Sequence, residues 1–266
     1  MKKNETTIEI RNLETYYGAR KVLDRINLQI MPGETMTILG RSGCGKSTLL
    51  RHMIGLSHPS SGEIFIKGRD ITAMAEEEML SIRRNIGMLF QGAALFNSMS
   101  VGDNVALPLR EHTKLEDSTI KIMTRMKLDQ VGLSGFEDFM PAQLSGGMKK
   151  RAALARAIAM DPDILFCDEP SAGLDPIVAV GIDHLILKLK KAFHMTIVVV
   201  THEMESVFLI ADRVALLDGG KIIALGTVDD LKKSKDPKVQ QFFNRMPDPE
   251  EIDRESYLNS LIGEQG

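Results

Sequence analysis

Residues 40–47 combine glycines, serines and a lysine in an arrangement that can hold a chain of phosphate groups. They fit the pattern G-x-x-x-x-G-K-[ST], and they are Gly40, Arg41, Ser42, Gly43, Cys44, Gly45, Lys46 and Ser47. Glycines let successive backbone N–H groups converge on phosphate oxygens, and a following helix adds positive potential. We expect the Lys46 ammonium to reach the β- and γ-phosphates of a nucleotide and the Ser47 hydroxyl to ligate Mg²⁺. The alternative is a glycine-rich turn with an unrelated lysine. An apolar run before the loop and a helical pattern after it favour a nucleotide site, and we expect the next residue, Thr48, to bind the nucleotide as well.

Two adjacent carboxylates, Asp168 and Glu169, follow the apolar run at residues 164–167. Such a run is typical of a buried strand, and ligands bind at the carboxyl end of a parallel sheet. There Asp168 is expected to hold Mg²⁺ through water, and Glu169 to polarise an attacking water molecule. Taken alone, the pair would be interpreted as an ordinary strand end. The phosphate-binding loop in the same chain favours the catalytic interpretation.

A second glycine segment contains Ser145, Gly146 and Gly147, and an alanine- and leucine-rich stretch with strong helix propensity follows it. Ser145 is a good N-cap residue, and the free N–H groups behind it form another potential phosphate cradle. The segment is therefore either a simple helix cap or a cradle for a nucleotide bound by another copy of the chain.

The overall composition excludes several classes of protein. A hydrophobic fraction of 43% with 26% charged residues is typical of a globular chain, and 266 residues suit one large or two modest domains. Lys and Arg total 33 against 36 Asp and Glu, so no basic excess indicates a nucleic-acid partner. Two cysteines cannot form a disulfide framework, and the apolar runs are too short to span a membrane. We expect a soluble cytosolic protein that reaches a membrane through partners.

The hydrophobic pattern predicts an α/β protein. Short strands are expected over residues 5–40, and compact apolar strands at 163–167 and 197–201 each precede a helix, which indicates a parallel sheet. Residues 71–150 have a mostly helical pattern and are interpreted as a helical subdomain inserted into this core. A hairpin is expected over residues 213–226. From about residue 232 the composition changes to an acidic, proline-containing tail with a short helix around residues 239–245.

The chain resembles the ATPase subunits of ABC transporters over about residues 6–232. The resemblance lies in the order of these motifs along the chain, together with Gln91, residues 171–175 and His202. The resemblance implies ATP and Mg²⁺ as cofactors. It also implies a P-loop NTPase ABC ATPase core with an antiparallel β subdomain and an inserted α-helical subdomain at about residues 92–160. The ATPase domain is then residues 1–235, and residues 236–266 are a C-terminal extension.

The resemblance also implies roles for single residues. Tyr17 would stack on adenine, although the neighbouring Tyr16 leaves that choice open. Gln91, expected to end an apolar strand with Ile86, Met88 and Phe90, would reach Mg²⁺ and the lytic water. Together with Lys46 and Glu169, it belongs to the expected catalytic set.

Two further roles follow from the same resemblance. His202 would contact the γ-phosphate as another member of the catalytic set, and Asp175 would lie across a dimer interface. Many members of the family have Gln where this chain has Met148, which points to a subgroup.

Residues 90–96, 104–113 and 236–242 resemble the ATPases of Mla/MCE-type lipid transporters. This resemblance implies a head-to-tail homodimer that sandwiches each ATP between residues 40–47 of one chain and residues 145–147 of the other. It implies an integral-membrane permease, an MCE-domain lipid-binding protein and a peripheral location at the cytoplasmic face of the inner membrane. The expected activity drives phospholipid transport to or from a periplasmic carrier and maintains outer-membrane lipid asymmetry. Residues 92–113 would contact the permease, unless they form a generic amphipathic surface.

The acidic tail is expected to pack across the dimer or to dock a small regulatory subunit. Two other functions stay open at this point. One is an ABC importer ATPase for another small solute. The other is a soluble ABC ATPase that acts on ribosomes or DNA, which is disfavoured because the chain has one P-loop, no long heptad array and no basic patch.

Overall fold

The structure is a computed structural model that describes residues 6–244 and Met246. The described residues divide into two compact units, one that ends at residue 228 and one that begins at residue 229. The strands are β1 (Ile8–Tyr17), β2 (Arg20–Ile30), β3 (Thr35–Gly40), β4 (Ser61–Ile66), β5 (Arg69–Asp70), β6 (Ile86–Leu89), β7 (Ile164–Asp168), β8 (Thr196–Thr201), β9 (Arg213–Asp218) and β10 (Lys221–Gly226). The helices are α1 (Lys46–Met53), α2 (Glu76–Arg83), α3 (Val101–His112), α4 (Asp117–Gln130), α5 (Gly146–Ala157), α6 (Pro176–Phe193), α7 (Met204–Ile210), α8 (Val228–Lys232) and α9 (Pro237–Phe243).

Two sheets form the first unit. The smaller one is antiparallel with the order β2-β1-β4-β5, and the larger one has the order β10-β9-β3-β8-β7-β6. In the larger sheet every described pairing is parallel except the one between β10 and β9. Strands β3 and β8 are buried along their whole length, as expected for central strands that are covered on both faces.

The larger sheet lies between two hydrophobic cores. Alternate residues of β7 and β8 point to opposite faces, so Phe166 and Val198 join the core that includes α1, α2 and the antiparallel sheet. Leu165 and Val199 join the core formed with α3, α4, α5 and α6. The carboxyl ends of β3, β7 and β8 therefore meet at one edge of a sheet that is fixed from both sides.

The expected fold class is confirmed: an α/β core carries an antiparallel sheet, and α3, α4 and α5 form a helical insertion between β6 and β7. The division into residues 1–235 and 236–266, with a subdomain at about 92–160, stays a prediction. No helix within residues 6–244 is long and apolar enough to cross a membrane.

Two expected boundaries are wrong. Strand β6 ends at Leu89, so Phe90 and Gln91 lie in the loop after it rather than in the strand. Helix α9 begins at Pro237 instead of residue 239, because Asp236 caps it by accepting hydrogen bonds from the backbone N–H groups of Lys238 (2.8 Å) and Val239 (3.4 Å). Most of the acidic tail, residues 247–266, lies outside the described residues.

Candidate active site

The loop of residues 40–47 connects the end of β3 to the start of α1. Close packing leaves no room for side chains at two of its glycines. A Cβ at Gly40 would lie 2.3 Å from the carbonyl oxygen of Leu217, and one at Gly45 would lie 2.8 Å from Leu23 Cδ2. Gly45 also has φ 107°, a conformation that glycine adopts without strain. These glycines hold the loop tightly curled around the N-terminus of α1.

Lys46, the first residue of α1, turns back over this loop. Its ammonium donates hydrogen bonds to the carbonyl oxygens of Gly40 (2.8 Å) and Arg41 (2.9 Å). An ammonium carries three N–H donors, and these two contacts leave capacity for a further acceptor. The geometry places a positive charge on the inner side of the curled loop, where phosphate oxygens would be bound.

The Ser47 hydroxyl faces the carboxylate of Asp168 across the sheet edge, with 3.5 Å between Oγ and Oδ1. Burial raises the pKa of Asp168, and the nearby charge of Glu169 adds to that effect. Hydroxyl and carboxylate oxygens are the ligand types that Mg²⁺ prefers, so this pair fits a magnesium site. Over the described part of the chain there is no cluster of three His, Cys, Asp or Glu side chains that could hold a metal ion.

Glu169 is buried, and its carboxylate is held from several directions. Thr201 Oγ1 donates to Oε2 at 3.0 Å, the backbone N–H of His202 donates to the same oxygen at 3.4 Å, and His202 Nδ1 lies 2.8 Å from Oε1. The backbone of Glu169 has φ 47°, a sparsely populated conformation that costs about 1–3 kcal/mol and clusters at active sites. The carboxylate is thus fixed in one position at the edge of the sheet.

A cavity of about 490 Å³ brings most of the expected site residues together. Its lining consists of Tyr17, Arg20, Val22, Ser42, Gly43, Gly45, Lys46, Ser47, Thr48, Gln91, Glu169 and His202. Tyr17 lines this cavity. The ring of Tyr16 instead has the Lys21 ammonium 5.1 Å from its centroid. The sequence did not indicate Arg20 or Val22 as part of the site.

The model of a family described as ABC transporter matches residues 23–172, which is more than half of the chain. The chain belongs to the ABC transporter family. An "Intermembrane phospholipid transport system ATP-binding protein MlaF" from Haemophilus influenzae is 46% identical over 239 residues, which cover 90% of both chains. A "Probable ribonucleotide transport ATP-binding protein mkl" from Mycobacterium leprae is 41% identical and covers 89% of this chain and 68% of its own length.

A solved structure supports the same membership. It is a dimeric ATP-binding cassette in a post-hydrolysis state bound to ADP and Pi, with 31% identity and a TM-score of 0.76. The similarity covers 83% of this chain and 98% of that one. This ABC transporter subunit is therefore an ATPase, and the cavity beside residues 40–47 is its candidate ATP site.

Eight residues expected at the ATP site of this ABC transporter subunit do not line the cavity. Four of them lie within two positions of lining residues in the chain: Gly40, Arg41, Cys44 and Asp168. The other four lie far from the lining residues in the chain: Ser145, Gly146, Gly147 and Asp175. Ser145 caps α5 by accepting from Met148 N, and Asp175 caps α6 by accepting from Val178 N. The two helix starts are neighbours, since a Cβ at Gly147 would lie 2.4 Å from Val178 Cγ1. Ser145 and Asp175 are both exposed, so this surface is available to a second copy of the chain.

Two cations on α5 hold the loop after β6, a role that the sequence did not indicate. The Lys150 ammonium donates to the carbonyl oxygens of Gln91 and Glu169, and the Arg156 guanidinium donates to those of Ala93 and Ala94. The only sign of this role in the sequence is that both positive charges lie within an otherwise alanine-rich helix. Their contacts depend on how α5 packs against the ends of β6 and β7.

A buried network of side-chain hydrogen bonds supports the segment that leads to Asp175. The hydroxyls of Ser171 and Ser206 lie 3.1 Å apart, and Ser206 Oγ donates to Asp183 Oδ2 at 2.6 Å. The other oxygen, Asp183 Oδ1, has no hydrogen-bond partner among residues 6–244 and Met246. Burial therefore raises the pKa of Asp183, although the Ser206 hydrogen bond opposes the shift.

The raised pKa of Asp183 predicts a pH-dependent stability. A carboxyl group with a raised pKa stabilises the folded state most when it is protonated, and that contribution is lost as pH rises through the raised pKa. The free energy of unfolding of the wild type, relative to Asp183→Asn, should therefore fall as pH rises above the ordinary value of about 3.9. Urea unfolding at several pH values from about 4 to about 8 measures this difference. The exposed Asp138→Asn is the control, and a pH-independent difference for Asp183→Asn would contradict the prediction.

Proposed function

We propose that this ATPase drives phospholipid transport as the nucleotide-hydrolysing subunit of an ABC transporter at the cytoplasmic face of the inner membrane. The observation that carries this proposal is the 46% identity to the Haemophilus influenzae phospholipid-transport protein over 90% of both chains. A match of this extent argues for a shared assembly, including a permease and an MCE-domain carrier. In this assembly the transporter maintains the lipid asymmetry of the outer membrane.

ATP binds in the cavity beside residues 40–47. Tyr17 stacks on adenine, and Lys46 with the loop N–H groups contacts the phosphates. Ser47, Asp168 and Gln91 hold Mg²⁺, which neutralises negative charge on the phosphates. The support is the distance of 3.5 Å between Ser47 Oγ and Asp168 Oδ1 and the presence of Tyr17 and Gln91 in the cavity wall.

Hydrolysis needs a group that accepts a proton from the attacking water, and Glu169 takes this role. Thr201 and His202 orient the carboxylate so that it faces the cavity, as a general base requires. The water oxygen forms a bond to the γ-phosphorus while the bond from that phosphorus to the bridging oxygen breaks. The proton moves to Glu169, and His202 contacts the γ-phosphate.

Two copies of the chain form a head-to-tail homodimer around two ATP molecules. The surface with Ser145, Gly146, Gly147 and Asp175 then completes the ATP site of the partner. This arrangement explains why these residues lie outside the cavity of their own chain although Ser145, Gly146 and Asp175 are exposed and the two helix starts are adjacent. The dimeric form of the solved cassette supports the same assembly.

A groove of about 540 Å³ is the proposed permease site. Its apolar lining includes Phe90, Phe96 and Pro108, and Arg83 and Arg84 also border it. The groove lies next to Gln91 and overlaps the stretch 92–113 that the sequence assigned to this contact, but it extends to residues 83–90 and 156–160. An amphipathic cytoplasmic helix of the permease fits such a groove through its apolar face.

A substitution that introduces a charged side chain into this groove should weaken binding of the ATPase to the permease. Phe96→Asp places a carboxylate on an apolar docking surface, and an unpaired buried charge is strongly unfavourable. We expect at least about a tenfold loss of co-purified permease, which corresponds to about 1.4 kcal/mol. Leu56→Asp is the matched control because Leu56 (55%) and Phe96 (51%) are similarly exposed. Equal permease recovery for both variants would contradict the assignment.

The C-terminal extension, residues 236–266, packs across the dimer or docks a small regulatory subunit. The support is its acidic composition and its position after the ATPase core. Deletion of these residues should weaken dimerisation or assembly of the complex. Unchanged assembly in light scattering and pull-down would reject this role.

The decisive experiment is a mild-detergent pull-down of the tagged chain from native membranes, with proteins and lipids identified by mass spectrometry. Recovery of an MCE-domain protein, a multi-span permease and phospholipid supports the proposed cargo. A solute-binding protein with a different permease rejects the lipid cargo and leaves the ATPase assignment intact.

A further inference from the structure

Lys150 lies beside the ends of β6 and β7. There the pairing between the two strands stops, and the loops that carry Gln91 and Glu169 begin. The final paired residues of β6 and β7 are Leu89 and Cys167. Gln91 and Glu169 each lie two residues beyond that pair, so no described sheet pairing joins them. The Lys150 ammonium bridges this gap because it donates to the carbonyl oxygens of Gln91 (2.5 Å) and Glu169 (3.0 Å).

The bridge is buried, since the Lys150 residue is only 5% exposed. Burying an ammonium is unfavourable unless it is well paired, and desolvation lowers the pKa of Lys150 accordingly. The negative charges of Asp168 and Glu169 oppose this shift and favour the charged form. Two carbonyl oxygens accept from the ammonium, and hydrogen bonds from an ionised donor are shorter and stronger than neutral ones.

The loop after Gln91 depends on the same helix for its shape. Ala93 (φ 62°) and Ala94 (φ 50°) adopt left-handed backbone conformations that non-glycine residues rarely adopt. The Arg156 guanidinium donates to both of their carbonyl oxygens, at 3.0 and 2.8 Å. Helix α5 thus holds residues 91–94 at both ends, with Lys150 toward the ATP cavity and Arg156 in the permease groove.

We propose that Lys150 is a positioning residue for ATP hydrolysis: its ammonium holds the backbones of Gln91 and Glu169 together so that both side chains face the same water. The proposal rests on the roles of Gln91 and Glu169 given above. Among residues 6–244 no other described hydrogen bond links these two loops, so without the ammonium they are held by the strands that precede them. The Gln91 loop can then move away from Glu169, although the phosphate-binding loop stays intact.

The test compares Lys150→Met with Lys149→Met, which removes the same charge one residue earlier on α5. Lys149 is half-buried, and its described contact is the helical hydrogen bond of its backbone N–H to Ser145. Because small misplacements of catalytic groups cost up to about 100-fold in rate, we expect kcat of Lys150→Met to fall by about 10- to 100-fold. The KM for ATP and the Kd of a non-hydrolysable ATP analogue should stay nearly constant. Lys150→Arg should recover most of kcat because a guanidinium can donate to both carbonyl oxygens.

An unchanged kcat in Lys150→Met, or an equal loss in Lys149→Met, would overturn the proposal. So would a loss that appears in KM and analogue binding rather than in kcat. If Lys150→Met does not fold, the same measurements are made on Lys150→Gln, whose uncharged amide is too short to reach both carbonyl oxygens. Failure of the underlying catalytic assignment is recognised separately, because Glu169→Gln would then retain hydrolysis.

Discussion

Replacing Glu169 with Gln is expected to lower the rate of ATP hydrolysis by about 10²- to 10⁴-fold, the usual contribution of a positioned general base. The amide has nearly the same shape as the carboxylate but cannot accept the proton of the attacking water. Thr201 Oγ1 can still donate to the remaining side-chain oxygen, so the local structure should persist. ATP binding should remain, because Lys46 and the loop at residues 40–47 are untouched.

The measurement combines steady-state hydrolysis with light scattering of the ATP-bound protein. We expect Glu169→Gln to accumulate the ATP-bound dimer, since hydrolysis no longer releases it. Glu77→Gln makes the same chemical change at an exposed position on α2 and should hydrolyse ATP at the wild-type rate. Hydrolysis within about threefold of wild type in Glu169→Gln would rule out a general base at this position.

The parts of the site that the sequence predicted are those with a local cause. The curl of residues 40–47 requires glycines at fixed positions, and the close approach of Leu217 O to Gly40 shows why. Asp168 and Glu169 follow a run of apolar residues whose burial in the sheet fixes where the strand ends. Both signals are contained within a few consecutive residues, so composition and spacing are enough to predict them.

The features that the sequence missed depend on contacts between distant segments. Nothing near Lys150 indicates that its ammonium reaches Gln91 and Glu169, because these contacts exist only when α5 packs beneath two strand ends. The end of β6 has a similar cause. Phe90 continues the apolar alternation, yet the pairing with β7 stops at Leu89 and the backbone turns away.

The choice between Tyr16 and Tyr17 was also beyond the sequence. Neighbouring residues of a regular strand face opposite sides, so alternation could have separated them. The register of β1 against β2 shifts between Thr15 and Tyr16, however, and the irregularity breaks that alternation. Both tyrosines are exposed, and the structure distinguishes them because Tyr17 lines the ATP cavity.

Replacing Lys46 with Met is expected to remove most nucleotide binding, in contrast to the substitution at Glu169. The ammonium is the positive charge that the structure holds inside the curled loop, through hydrogen bonds to Gly40 and Arg41. Because a charged hydrogen bond contributes about 1.5–3 kcal/mol, the Kd for ATP should rise by about 10- to 100-fold. Titration with a fluorescent ATP analogue in the presence of Mg²⁺ measures this change directly.

The matched control for Lys46→Met is Lys188→Met, which removes the same charge from an exposed position on α6 and should bind ATP with wild-type affinity.

The variants Lys46→Met and Glu169→Gln together separate ATP binding from ATP hydrolysis. Lys46→Met should neither bind ATP tightly nor form the ATP-dependent dimer, whereas Glu169→Gln should do both without hydrolysis. If Lys46→Met kept wild-type affinity, the phosphates would have to lie elsewhere, and the assignment of the cavity beside residues 40–47 would be wrong. In the head-to-tail sandwich the nucleotide supplies the contact between residues 40–47 of one chain and Ser145 of the other. If Lys46→Met lost affinity for ATP but still formed the dimer, the dimer would therefore not depend on ATP.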